Sequence, residues 1–277
     1  MALHRLGVIG AGGIADLALS TLANGLAVPL THVSILVPGQ FEEQAQALLD
    51  CLGSTLAASR AVRTELAAFL ADRPDVVAEC ASHSAVENFG PSILESGCDL
   101  IVISIGSLSD DALRAKLEQA ARKGGSRILL PSGAIGGVDA LAAARLSGLE
   151  QVIYTGRKPP KAWRNTPAEK LLDLDALKEP AIFFEGTART AAHDYPFNAN
   201  VAATLALAGI GFDKTQVRLV ADPGITTNVH EFAVRSGCGN FTMRLEGRPS
   251  AANPKTSQMA GYSVARELLN RAGTIVI

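Results

Sequence analysis

Histidine is the side chain that best exchanges protons near neutral pH, and the sequence contains five of them. His230 lies within Asn228–Arg235, where the alternating pattern predicts a strand with this histidine on its mainly apolar face. There it could serve as a general acid/base, although a histidine on such a face is more often a hydrogen-bonded core residue. His193, in a predicted loop, is the second candidate. The other three are expected to precede strands or to cap a helix: His4, His32 and His83.

A glycine-rich turn, Gly10-Ala11-Gly12-Gly13-Ile14-Ala15, is a second candidate for chemistry because it follows the apolar strand Leu6–Ile9. In this position the pattern is typical of dinucleotide binding, since glycines permit a tight turn and let the backbone approach a pyrophosphate. The free N–H groups that begin the next helix then bind the phosphates. We predict a dinucleotide site that includes Gly10, Gly12, Gly13 and Ile14; a turn that only connects strand to helix is the alternative.

The end of the second predicted strand bears on which dinucleotide is bound. An Asp or Glu about 20 residues beyond the glycines normally binds the ribose 2′-OH of NAD. Here the strand ends in Val37-Pro38-Gly39-Gln40, with no carboxylate and no obvious basic partner for a 2′-phosphate. We therefore predict that both NAD and NADP are accepted.

Further cofactor contacts are expected where later strands end, because ligands of open α/β sheets bind beyond the carboxyl ends of the strands. Ser82 and the segment Ser104–Ser107 are candidates there, but each could equally form a cap or a turn. The segment Pro131-Ser132-Gly133-Ala134-Ile135-Gly136-Gly137 is rich in glycine, which lets the backbone approach a flat ligand closely. A hinge between domains is its alternative interpretation.

Two hydrophobic patterns divide the chain of 277 residues. Up to residue 130, short apolar runs alternate with helical segments, which predicts an α/β fold: an N-terminal Rossmann domain (1–130) with a doubly wound parallel sheet. After Gly148, period-2 alternation predicts a second α+β domain (131–250) built on a mainly antiparallel sheet with one solvent-exposed face. A terminal helix (251–277) is expected to pack back on the first domain.

Three patterns predict where helices begin. Ser84-Ala85-Val86-Glu87 resembles a capping box, and Thr166-Pro167-Ala168-Glu169 combines an N-cap with proline at the first helical position. Asn253-Pro254 begins the terminal helix in the same way. The apolar stretch Ala199–Phe212 is predicted to be a buried helix, because a membrane-spanning helix needs about 18 or more apolar residues.

Composition excludes several classes of function. The 25 Lys and Arg and 27 Asp and Glu give a net charge of −2 without charged blocks, which disfavours binding to nucleic acid or to a membrane surface. The four cysteines form no C-x-x-C pair, and the histidines form no H-E-x-x-H motif, so no metal site is predicted. We expect a cytoplasmic protein with reduced thiols, and a homodimer if the exposed face of the second sheet is partly apolar.

Seven segments together identify the chain as similar to the L-aspartate dehydrogenase family. In order along nearly the whole chain they are GAGGIA, AECASHSAV, PSGAIGGVDALAAARLSGL, TGRKPPKAW, FNANVAATLALAG, VADPGITTNVHEF and NPKTS. The resemblance implies reversible NAD(P)-dependent oxidative deamination of L-aspartate, through iminoaspartate, to oxaloacetate and ammonia. It also implies a link to NAD biosynthesis and a second domain that forms much of the subunit interface.

The resemblance assigns roles to particular residues. The active-site histidine of the NVHE motif falls on His230, and the family's cofactor positions fall on Ala134 and Asn200. Because L-aspartate carries two carboxylates, a basic side chain should bind it, and Arg157 or Lys158 in the TGRKPPKAW run is proposed for this. A basic pair is more often simply a solvated turn. Further polar candidates for the substrate are Asn198, Thr227 and Asn228.

Two other functions remain open from the sequence. One is a related two-domain NAD(P)-dependent reductase of another small oxo or imino acid, which substrate profiling would distinguish. The other is a non-catalytic dinucleotide sensor, which would bind the cofactor without turning over L-aspartate, because a fold alone does not establish activity.

Overall fold

The computed structural model describes residues 3–196, 199–248 and 257–277, which form two compact units. The first contains residues up to Pro131 together with Ala260–Ile277, and the second contains Ser132–Met259. The predicted helix start at Asn253-Pro254 lies outside the described residues. Within the described ranges, no helix combines the length and the apolar composition needed to cross a membrane.

The first unit is built on six parallel strands in the order β3-β2-β1-β4-β5-β6, which is the doubly wound arrangement predicted from the apolar runs. The sequence pattern predicts five of these strands but not β3, an edge strand whose polar side chains break the apolar run. The strands are β1 (Arg5–Ile9), β2 (Leu30–Leu36), β3 (Ala57–Arg63), β4 (Val76–Glu79), β5 (Asp99–Val102) and β6 (Ile128–Leu129).

Helices cover this sheet, and the terminal helix shares the core of the first unit. Leu268 of that helix belongs to the same buried cluster as Leu6 and Leu19. The predicted capping box at Ser84 is wrong: the hydroxyl of Ser82, two residues earlier, accepts the N–H of Ala85 and caps the helix. The helices are α1 (Gly13–Gly25), α2 (Glu42–Leu56), α3 (Leu66–Ala71), α4 (His83–Glu95) and α5 (Asp111–Gly124), with α9 (Gln258–Ala272) at the end of the chain.

The second unit is built on five strands in the order β11-β10-β7-β9-β8. The pairing of β7 with β9 is parallel and the other three pairings are antiparallel, as expected for a mainly antiparallel sheet. The strands are β7 (Leu149–Lys158), β8 (Ala181–Thr187), β9 (Gln216–Ala221), β10 (Asn228–Ser236) and β11 (Gly239–Gly247); the helices are α6 (Val138–Ala144), α7 (Ala188–Asp194) and α8 (Asn200–Ala208).

The helix predicted at Thr166 is only a short 3-10 turn, Pro167–Lys170. Thr166 caps it as expected, but the turn buries only Ala168 and Leu171 stays exposed. A longer helix would therefore have no core to pack against, and short helices depend on such packing for stability.

The two faces of the second sheet differ in burial. Tyr154 and Phe232 lie on the buried face, whereas Thr155 and Glu231, their neighbours in sequence, lie on the other face and line an open cavity of about 360 Å³. Because side chains alternate along a strand, the face that each residue occupies follows from its position. This alternation decides which predicted site residues can act together.

Candidate active site

The glycine-rich turn lies between β1 and α1 and has the backbone that the sequence predicts. Gly10 has a φ of +92°, and its N–H donates to the carbonyl of Leu36 at 2.9 Å. A Cβ at Gly10 would lie 3.0 Å from the Cβ of Ala81 and 3.1 Å from the carbonyl oxygen of Cys80. The turn can therefore be this tight only because residue 10 is glycine.

Gly12 leaves the start of α1 open. It is the N-cap residue, no side chain caps the helix, and a Cβ added there would meet no atom within 4 Å. Gly13 and Ile14 follow as the first helical residues, and Ile14 packs against the core. An open backbone at an uncapped helix start fits a pyrophosphate, which binds to free N–H groups and to the positive end of the helix.

A buried carboxylate, not singled out by the sequence, holds the neighbouring loops. Glu79 is fully buried at the end of β4 and accepts hydrogen bonds from the backbone N–H groups of Ala81, Ser82 and Ser104 at 2.8, 2.8 and 3.0 Å. The Ser104 hydroxyl donates to it at 2.9 Å. Burial raises the pKa of the Glu79 carboxyl, while these hydrogen bonds favour its ionised form. Glu79 thereby fixes the loop that contacts the glycine turn.

His230 lies on the buried face of the second sheet and is only 6% exposed. Its Nδ1 is 2.7 Å from the hydroxyl oxygen of Tyr154. In the register of β7 and β10, His230 pairs with Gly156, which has no side chain to fill the space between the two rings. The histidine is thus held by one ring nitrogen, and within the described residues Nε2 has no hydrogen-bonding partner.

The electrostatic surroundings keep His230 neutral. Burial and the positive charge of Lys158 lower the pKa of the imidazole to about 3. Burial also lowers the pKa of the Lys158 ammonium to about 8. The neutral imidazole can accept and return a proton, while the ammonium group of Lys158 can pair with an anionic substrate.

The structure separates the two basic candidates. Lys158 is two residues beyond Gly156 on β7, on the face of His230, and its Nζ lies 5.1 Å from the centre of the Trp163 ring. Arg157 lies on the opposite face, where its guanidinium donates to the carboxylate of Asp222 at 2.9 Å. Only Lys158 therefore shares a face with His230.

The remaining predicted residues have different surroundings. Asn228 lies two residues before His230 on β10, on the same face. Ala134 is half-buried in the segment before α6, and a Cβ on Gly136, two residues later, would lie 2.5 Å from Cε of Met243 in β11. Asn200 is the first residue of α8, and Asn198 lies outside the described residues.

Ser82 and His193 have structural explanations. Ser82 caps α4, which accounts for its hydroxyl without a ligand. His193, the second histidine candidate, is exposed and contacts Asp194 at 2.7 Å. In the described part of the chain, no group of three or more His, Cys, Asp or Glu side chains is placed to hold a metal ion.

Comparisons with known proteins agree along the chain. A family model described as "Aspartate dehydrogenase, C-terminal" matches residues 139–271, and one described as "Homoserine dehydrogenase, NAD binding domain" matches residues 10–131. The curated L-aspartate dehydrogenase of Ralstonia nicotianae is 46% identical over 99% of this chain and 99% of its own length. That of Cupriavidus taiwanensis is 49% identical over 88% of this chain and 89% of its own length.

A solved structure agrees as well. The crystal structure of aspartate dehydrogenase from Thermotoga maritima matches with a TM-score of 0.74 at 25% identity, and the match covers 100% of both chains. The similarity therefore extends over both units.

Proposed function

The chain belongs to the L-aspartate dehydrogenase family, and we propose that His230 and Lys158 carry out the proton transfer and the carboxylate binding of its reaction. It is an oxidoreductase that uses NAD(P) to convert L-aspartate, through iminoaspartate, to oxaloacetate and ammonia, reversibly. The observation that carries our assignment is the buried His230 beside Lys158 on one sheet face.

The cofactor is assigned to the glycine turn of the first unit. Gly10, Gly12, Gly13 and Ile14 would bind the pyrophosphate through the open start of α1. The family positions Ala134 and Asn200 are proposed as further contacts. When bound, the nicotinamide supplies the acceptor for the hydride that leaves the substrate Cα.

Lys158 is assigned to a substrate carboxylate, with Asn228 as a polar neighbour. L-aspartate is an anion with two carboxylates, and an ammonium group in a dry site attracts one of them strongly. Pairing also offsets the positive charge that contributes to the low pKa of His230. Substrate binding therefore raises the proton affinity of the imidazole at the point where a base is needed.

His230 is assigned to the proton transfers. Nε2 is the reacting atom because Nδ1 is hydrogen-bonded to the Tyr154 hydroxyl. Oxidation requires the substrate amine to lose a proton before the hydride leaves. Hydrolysis of the imine then requires a base to take a proton from the attacking water. A positioned imidazole suits both steps and returns the proton in the amination direction.

The activity and the cofactor preference are tested in one assay. We expect oxaloacetate and ammonium to oxidise both NADH and NADPH, with kcat/KM values within about a hundredfold, which corresponds to about 2.7 kcal/mol. The reason is that β2 is followed by Pro38-Gly39-Gln40, with neither a carboxylate for the 2′-OH nor a base for a 2′-phosphate. Pyruvate and 2-oxoglutarate are the control substrates. A preference above a hundredfold for one coenzyme would contradict the prediction that both are accepted. Faster turnover of a control substrate would contradict the assignment of L-aspartate as the substrate.

The pH dependence of dicarboxylate binding tests Lys158. Succinate, a four-carbon dicarboxylate that stays ionised above pH 7, should bind ever more weakly as pH rises above about 8, because the ammonium group loses its proton there. The Kd measured by calorimetry should increase about tenfold per pH unit at most.

Lys158→Arg is the matched variant, because a guanidinium stays charged across this range. Its succinate Kd should be nearly independent of pH. A Kd that does not change with pH in the unmodified enzyme would rule out Lys158 as the carboxylate-binding group.

We propose three further properties. Homodimer formation is supported by the exposed face of the second sheet, where Ile182 is 54% exposed beside Arg218 and Glu231. A cytoplasmic location is supported by four free cysteines. The link to NAD biosynthesis is supported only by the resemblance to the family.

A further inference from the structure

The hydroxyl group of Tyr154 lies in the interior of the second unit. Tyr154 is only 1% exposed, and its ring is stacked with that of His230 at an interplanar angle of 15° with centroids 6.1 Å apart. Its hydroxyl oxygen is 2.7 Å from Nδ1 of His230, the sole hydrogen-bonding partner it has within residues 3–196, 199–248 and 257–277. The hydroxyl thus serves the histidine and nothing else in this part of the chain.

The proposed role of His230 decides which way this hydrogen bond runs. A neutral imidazole has one donor and one acceptor nitrogen. For Nε2 to take a proton from the substrate or from water, Nε2 must be the acceptor, so the ring proton is on Nδ1. Nδ1–H then donates to the Tyr154 hydroxyl oxygen, 2.7 Å away.

Gly156 makes the contact possible. It lies between Tyr154 and Lys158 on β7 and pairs with His230 on β10. A Cβ at Gly156 would lie 2.7 Å from the Tyr154 hydroxyl oxygen and 3.2 Å from Cζ, which is closer than side chains approach. The absence of a side chain at residue 156 is thus a condition for the Tyr154–His230 hydrogen bond.

We infer that Tyr154 is a positioning residue of the reaction: its hydroxyl oxygen accepts Nδ1–H of His230, keeps the ring proton on Nδ1 and leaves Nε2 as the nitrogen that exchanges protons with the substrate. The inference rests on the proposed role of His230. It assigns no direct contact with the substrate to Tyr154.

A phenol suits this position better than a carboxylate. Nδ1 keeps its proton and stays hydrogen-bonded to the hydroxyl oxygen while Nε2 takes or gives a proton. A carboxylate could also accept from Nδ1–H, but its charge would favour the imidazolium and so oppose the return of the proton from Nε2. Burial raises the pKa of the Tyr154 phenol, so the group stays neutral throughout. The hydrogen bond is therefore kept in every protonation state of the ring.

The first test is spectroscopic and needs no turnover. In the coenzyme-free enzyme labelled with ¹⁵N-histidine, the His230 resonances should show a protonated, hydrogen-bonded Nδ1 and an unprotonated Nε2 at neutral pH. Tyr154→Phe should abolish the hydrogen-bond shift of Nδ1. Tyr195→Phe removes the hydroxyl of another buried tyrosine in the same unit and should leave both resonances unchanged. A protonated Nε2 with an unprotonated Nδ1 in the resting enzyme would overturn the inference.

The second test separates positioning from a purely structural role. Tyr154→Phe should lower kcat for L-aspartate by about tenfold to a hundredfold, the cost of leaving a buried ring nitrogen without its partner. The KM for L-aspartate and the Kd for coenzyme should change little, because the binding groups are intact. An unchanged kcat, or a loss confined to KM and thermal stability, would overturn the inference.

A double-mutant cycle between Gly156 and Tyr154 tests the same contact in a second way. Gly156→Ala should lower kcat in the unmodified enzyme by displacing the hydroxyl, and should cost much less in the Tyr154→Phe background. Additive losses would contradict the inference. If His230→Asn is inactive while Tyr154→Phe is fully active, the role of Tyr154 fails and that of His230 stands. If His230→Asn is fully active, the proposed function of His230 fails by itself.

Discussion

Replacing His230 by asparagine is expected to lower kcat for L-aspartate by about 10²–10⁴, the range for loss of a general acid/base. Asparagine is similar in size and keeps a polar group near the Tyr154 hydroxyl, but it cannot accept and return a proton at neutral pH. The first unit is unchanged, so the coenzyme Kd should stay the same. Steady-state kinetics and a fluorescence titration of reduced coenzyme measure the two quantities.

His193→Asn is the matched control for this prediction. His193 is exposed, and its Nδ1 lies 2.7 Å from the carboxylate of the neighbouring Asp194, so its loss should leave kcat unchanged. If His230→Asn retained full kcat in a folded protein, or if His193→Asn lost it, the assignment of the reacting histidine would be wrong.

Replacing Gly12 by aspartate should separate cofactor binding from stability. Gly12 has a φ of −81°, which any residue adopts, and a Cβ there meets no atom within 4 Å. Aspartate is a preferred N-cap residue and its charge suits a helix N-terminus, so the unfolding temperature of the coenzyme-free protein should stay the same or rise. The same carboxylate occupies the free N–H groups and repels the pyrophosphate.

The expected loss of affinity is about 10² to 10³. Two like charges about 4 Å apart near a protein surface repel by about 4 kcal/mol, and each 1.4 kcal/mol is tenfold in Kd. Gly12→Asn is the matched control, since it caps the helix without the charge and should weaken coenzyme binding less. Coenzyme affinity that survives Gly12→Asp would mean that the pyrophosphate does not bind at this turn.

Most of the fold could be predicted because its strands are marked by local patterns. Apolar runs such as Leu6–Ile9 and Leu100–Ile105 indicate strands buried on both faces, and the alternation of Phe241–Glu246 indicates a strand with one wet face. β3 could not be predicted because an edge strand needs no apolar run: Ser59 and Arg60 are acceptable there since one side of the strand faces solvent. Ser82 and Ser84 both offer hydroxyl caps, and only the observed start of α4 distinguishes them.

The candidate site was predictable only in part, because it depends on pairing between distant strands. The choice of His230 follows from its position in Asn228–Arg235. Nothing in the local sequence indicates that it pairs with Gly156 or that it is hydrogen-bonded to Tyr154, 76 residues away. From the sequence alone, Arg157 and Lys158 are equal candidates for binding a carboxylate, and the alternation of side chains along β7 places them on opposite faces. The sequence did contain one signal: Tyr154, Gly156 and Lys158 are spaced two residues apart and therefore share a face.

Glu79 illustrates a different limit. A carboxylate at the end of a buried strand resembles a ligand-binding group, but its partners lie on the loops after β4 and β5, which are separate in the sequence and adjacent in the fold. Its hydrogen bonds to Ser82 and Ser104 satisfy the buried charge within the first unit. The residues that sequence reasoning could not find are those whose roles consist of contacts between segments far apart in the chain.

The central claim, that this enzyme moves a hydride between a nicotinamide and the Cα of a four-carbon amino diacid, is tested most directly with labelled coenzyme. The enzyme is incubated with oxaloacetate, ammonium and reduced coenzyme that carries deuterium at both C4 positions of the nicotinamide, and the amino acid product is analysed by mass spectrometry and NMR. We predict L-aspartate with deuterium at Cα. Coenzyme that binds without any labelled L-aspartate being formed would contradict the claim and favour a dinucleotide-binding protein without this activity.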